Sequence, residues 1–188
     1  MTNIFKKLRA RESLFAHYAS PSEFRQLFAE SRDELLCLAR FLTGQEQLAE
    51  ACIVDACALS LGENPVFEEW LESWARRATI RCALEMQRAQ IAGLRPAYEK
   101  HRCPHGKHAP LDLDLVEKLC QEPGMVRQLD ALCRFALVLR GIDNYPLQEC
   151  GTMLGVSIAA VEAAYCAALQ HIQALADNVR LGEGSANA

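Results

Sequence analysis

The side chains of this chain that could do chemistry fall into an arginine stripe, a histidine–cysteine loop and a helix-turn-helix. The stripe is Trp70, Arg77, Arg81 and Arg88, in a stretch whose apolar residues recur at helical spacing, and Arg76 is a further candidate beside it. Cations beside an indole suit nucleic acid, the cations neutralising phosphates and the ring stacking on bases. The same arginines would also serve as a solvated face or pair with Glu72 and Glu85, and both readings stay open. His101, Cys103, His105 and His108 crowd one loop, and zinc takes these ligand types. Their spacing is no standard structural zinc pattern, so no metal is expected, and these four are the weak candidates. No glycine-rich phosphate loop, nucleophile elbow or HExxH pattern occurs, so neither catalysis nor a cofactor is expected.

The third group runs from Asn144 to Leu169. Its turn is Leu154-Gly155-Val156-Ser157, where Gly155 can take the left-handed conformation and Ser157 can cap the helix that follows. In a DNA-reading unit of this shape the second helix enters the major groove, where it needs Arg, Lys, Asn, Gln or Thr. Here it offers Ala159, Ala160, Glu162, Ala163, Ala164 and Ala167, and no Lys or Arg lies between Arg140 and Arg180. Ile158, Val161, Tyr165, Ala168, Leu169 and Ile172 form the expected core stripe. The alanine face reads either as an inert surface or as a protein-contact patch at Ala160, Ala163 and Ala167.

Elements that would position these groups can be read from caps and breakers. Ser20-Pro21-Ser22-Glu23 is a strong helix start, and Thr43-Gly44 ends that helix. A second helix covers 47–61 and a third runs from Val66 to about Gln90. Gly93, Pro96, Pro104, Gly106 and Pro110 mark 92–110 as a linker. Helices near 111–120, 126–140, 146–154 and 158–178 follow. The expectation is an all-α chain of two helical modules: a basic extension at 1–19, a helical domain at 20–91, the linker, a helix-turn-helix domain at 111–180 and a disordered tail at 181–188.

Composition bounds the rest. Net charge is -4, which is no global footprint for nucleic acid. No apolar run is long enough to cross a bilayer, and the basic start lacks the apolar core of a signal peptide, so a cytoplasmic protein is expected. Cys37, Cys52, Cys57, Cys82, Cys133, Cys150 and Cys166 sit in apolar helical patterns and read as reduced, buried hydrophobes.

The order of elements resembles the extracytoplasmic-function sigma factors of bacterial transcription initiation, over about Phe24 to Ala176. Leu38-Ala39-Arg40, Gly44 and Ala49-Glu50 resemble the family's region 2, with Ala51 and Val54 where the family carries Asp and Gln. Trp70-Leu71 and Ala75 resemble its promoter-opening helix, with Arg77 and Arg81 at its Asn and Asp positions. Glu149, Leu154-Gly155-Val156-Ser157, Val161 and Ala168 resemble region 4, while the family's DNA-contacting Thr, Lys, Arg and Arg are Ala160, Glu162, Ala164 and Ala167. The resemblance implies a sigma-factor-like regulator that keeps the fold pattern and has lost the DNA-contacting one. It would work through protein contacts with RNA polymerase core or an anti-sigma factor, at Glu50 and Val54 on the second helix or at the alanine face. DNA binding through region 4 is not expected. The alternative is a divergent working sigma factor that contacts promoters through Trp70, Arg76, Arg77, Arg81 and Arg88.

Overall fold

The computed structural model describes residues 18–62, 65–101 and 128–185, with backbone alone at 176 and 178–185. It is mostly helical, and no β-strand occurs among the described residues. Helix α1 spans Pro21–Glu30 and α2 spans Arg32–Thr43, where the sequence suggested one continuous helix. Ser20 opens α1 with a complete capping box: its hydroxyl accepts from the Glu23 N–H at 3.3 Å, and its own N–H donates to the Glu23 carboxylate at 2.6 Å. The break falls at Ser31, whose N–H closes α1 on the Leu27 carbonyl. Gly44, at φ +69, then ends α2 in the left-handed conformation that a side chain would strain. Helix α3 (Glu46–Gly62) follows, then a single 3-10 turn at Glu68–Trp70.

Helix α4 spans Leu71–Lys100 and runs straight through Gly93 and Pro96. The expected linker therefore begins no earlier than His101. A proline inside a helix costs about 3 kcal/mol, and here tertiary packing outweighs it. Ile91 is buried, and Leu94 and Tyr98 pack against the same core, while Pro96 itself is exposed. The Tyr98 hydroxyl donates to the Asp130 carboxylate at 2.7 Å and lies 3.0 Å from the Cys133 sulfur, tying the end of α4 to the next element.

That element is α5, Ala131–Ala136, which passes into a π-helical turn at Leu137–Ile142. Asp130 caps it by accepting from the Cys133 N–H at 2.9 Å. Helix α6 (Leu147–Leu154) and helix α7 (Ile158–Ser185) complete the chain. Helix α7 continues into 181–185, where a disordered tail was expected.

The two halves do not stand apart. Leu36, Phe41, Leu42, Ile80, Leu84 and Ile91 of the first half join Leu132, Phe135, Leu139, Val161 and Ile172 of the second in a single apolar cluster. Helix α7 packs on α4, α5 and α6. A polar seam crosses the same boundary. Arg134 is buried, yet its guanidinium faces carbonyls rather than a carboxylate: Nε donates to Leu42 O at 3.2 Å, Nη2 to Thr43 O at 3.5 Å, and Nη1 to Leu129 O. Leu42 and Thr43 end α2, where the last carbonyls lack helical partners and the dipole favours a cation. The Gln87 amide adds a donor to Thr43 O at 3.2 Å. A smaller cluster drawn from α1, α2, α3 and α4 holds Phe24, Phe28, Leu35, Ala56, Leu71 and Ala75.

Six cysteines in these helices carry free thiols, as expected, but Cys166 is disulfide-bonded, to a partner outside the described residues. That corrects its reading as a reduced thiol.

Candidate functional site

The helix-turn-helix is formed as its turn chemistry suggested. Gly155 sits at φ +67, and the Ser157 hydroxyl accepts from the Ala160 N–H at 3.2 Å, capping α7. Helices α6 and α7 meet at 99°, within the range of such units. A Cβ at Gly151 would lie 3.0 Å from the Val156 carbonyl, so the turn folds back onto a glycine of α6.

The helix face that the resemblance would turn toward DNA is largely buried. Ala160 and Ala164, at the positions of the family's Thr and Arg, are both 0% exposed. Ala163 is buried and Ala167 half-buried. Of Ala160, Glu162, Ala164 and Ala167, only Glu162 is exposed. The burial explains the alanines: α7 is covered over a wide arc by three helices, and a small residue lets their backbones approach. It also corrects the expected protein-contact patch, because Ala160 and Ala163 lie inside the chain rather than on its surface. Ile158, assigned to the core stripe, is 41% exposed instead.

The arginines are divided. Arg77, Arg81 and Arg88 are exposed along α4, while Arg76 is turned about 100° away from Arg77 around the helix. Arg76 grips Asp143 in the second half, its Nη2 and Nε donating to one carboxylate oxygen at 2.7 and 3.0 Å. The Asp143 N–H donates to the Val138 carbonyl at 2.8 Å, so the π-helical turn holds Asp143 opposite Arg76. Arg88 pairs with Glu85 on its own helix, and that pairing holds its charge firmly on the guanidinium while lowering the Glu85 pKa. Trp70 is 56% exposed. It meets Phe67 edge-on at 5.4 Å, and Phe67 stacks on Tyr18 at 4.6 Å.

On α3, Glu50 and Val54 both face solvent, and Val54 is 68% exposed, more than Trp70 or Ile158 among the exposed large apolar residues. Ala51 and Ala58 lie on the same side. Between the α1–α2 break and the start of α4 lies a cleft of about 590 Å³. Leu27, Leu35 and Ala75 give it apolar walls, and Glu34, Glu72, Ser31, Ser73 and Arg76 its polar ones. This cleft carried no sequence signal, since its walls come from three separate helices.

Of the weak metal candidates, His101 is exposed just beyond α4, and Cys103, His105 and His108 lie outside the described residues. No group of three or more metal-ligating side chains comes together among the described residues. Burial pushes the Cys52 and Cys133 thiols up to about 12, which makes both poor nucleophiles near neutral pH. No single helix among the described residues is long and apolar enough to cross a membrane. Compared with known proteins, the chain matches no family model, no curated protein and no solved structure.

Proposed function

We propose that this protein is a sigma-factor-like regulator of bacterial transcription initiation that acts through protein contacts and does not read a promoter with its helix-turn-helix. One observation carries the reading: the helix that would enter the major groove spends its DNA-facing positions, Ala160 and Ala164, on the core. A groove-reading helix must leave those positions free for base edges and phosphates. The shared core supports the same reading, since a large apolar boundary does not open as a thin interdomain contact would. Arg76, held by Asp143, is withdrawn from the nucleic-acid candidates. The partner is RNA polymerase core or an anti-sigma factor, and the exposed Glu50–Val54 face of α3 is the surface for it.

A second reading, a working sigma factor that contacts promoters through α4, is favoured by the exposure of Trp70 and Arg77. Run-off transcription with purified polymerase core separates the two. The expected result is that the full chain binds core, that Val54→Arg weakens this binding at least tenfold, and that no promoter-dependent transcript forms. Transcripts that start at defined sites and vanish with Arg77→Ala establish the second reading instead.

A further inference from the structure

We infer that the cleft between the α1–α2 break and the start of α4 takes the chain's own basic N-terminal segment, residues 1–17. The cleft joins the half-buried Leu27, above a floor of the buried Leu35 and Ala75, to the carboxylates of Glu34 and Glu72. Its one cation, Arg76, is already neutralised by Asp143, so the cleft is left acidic. Its complement is a segment that carries apolar side chains and several cations together.

Residues 1–17 have that composition in a chain whose net charge is -4: Ile4, Phe5 and Leu8 alternate with Lys6, Lys7, Arg9 and Arg11, against Glu12 as the sole acid. The segment also starts from the right place. Tyr18 is fixed by its stack on Phe67, and the Ala19 N–H donates to the Val66 carbonyl at 2.7 Å. Phe67 touches Trp70, whose carbonyl accepts from the cleft residue Ser73 at 2.9 Å. Tyr18 is thus linked through Phe67 and Trp70 to Ser73 at one end of the cleft. Seventeen residues reach up to roughly 55 Å when extended, so the tether is long enough. Tethering also gives the segment a high effective concentration over any outside peptide.

Carbodiimide cross-linking of the full chain, read by mass spectrometry, tests the contact directly. The expected product joins Lys6 or Lys7 to Glu34 or Glu72 within one molecule, at a yield independent of protein concentration. Limited trypsin digestion gives a second readout. Cleavage within residues 1–17 of the Glu34→Gln, Glu72→Gln double variant is expected to run roughly tenfold faster than in the parent, and salt should speed the parent in the same way. Cross-links only to other acids, or only between two molecules, overturn the proposal. So does equal digestion of parent and variant.

Discussion

Returning a cation to the helix-turn-helix should break the protein rather than restore DNA binding. Ala164→Arg places a guanidinium at a position that is 0% exposed, against helices that already close on alanine. Overpacking of this kind costs typically 1–3 kcal/mol. A buried charge without a partner adds about 3–5 kcal/mol. The sum, roughly 4–8 kcal/mol, is comparable with the whole stability of a domain, about 5–15 kcal/mol. At about 2–4 °C per kcal/mol for a chain of this size, the melting temperature should fall by roughly 10 °C or more. Ala164→Leu, which overpacks without charge, should fall between parent and Arg. Glu162→Arg puts the same cation on an exposed position two residues away, on the opposite side of the helix, and should change stability by about 0.5 kcal/mol or less. Thermal unfolding followed by circular dichroism ranks the three. If Ala164→Arg melts with the parent and gains salt-sensitive affinity for duplex DNA, the reading face is free and the burial argument fails.

Arg134→Met removes the donor set from the Leu42, Thr43 and Leu129 carbonyls, and should lower stability by roughly 1–3 kcal/mol in urea unfolding; an unchanged midpoint would show that those carbonyls need no cap. A double-mutant cycle on Arg76 and Asp143 should give a coupling of about 0.5–1 kcal/mol that shrinks in salt, since the Arg76 side chain is 38% exposed. Zero coupling at low salt would remove that ion pair from the account. Cys52 and Cys133 are raised from the ordinary 9.0 to about 12 by burial, so the folded state keeps protons that the unfolded state loses. Their contribution is therefore complete below about pH 9 and lost as pH rises toward 12, and denaturant midpoints should fall over that window. A flat profile from pH 8 to 11 would contradict the burial of both thiols.

Local chemistry was legible in the sequence where one or two residues decide it. The Ser20–Glu23 capping box, the left-handed Gly44 and Gly155, and the Ser157 cap were each readable, because their partners lie within a few residues. The burial of Ala160, Ala163 and Ala164 was not. A helical stripe assumes packing on one side, whereas α7 is covered by α4, α5 and α6 together. Pro96 and Gly93 marked a break for sound local reasons, and the packing of Ile91 and Tyr98 overrode them. The Arg76–Asp143 pair spans 67 residues, and the cleft draws on three helices; a single sequence offers no register for such meetings. The Arg77, Arg81 and Arg88 stripe was readable from helical spacing, whereas the commitment of Arg76 to Asp143 needed the fold.

Titration of the whole 188-residue chain against promoter-length duplex DNA, from low to physiological salt, tests the central claim most directly. With no Lys or Arg on α7 before Arg180 and with Ala160 and Ala164 in the core, the account expects no saturable binding by fluorescence anisotropy at low salt, where counterion release is strongest. Micromolar binding that falls steeply with added salt, and survives Arg77→Ala with Arg81→Ala, would place DNA on the helix-turn-helix and contradict it.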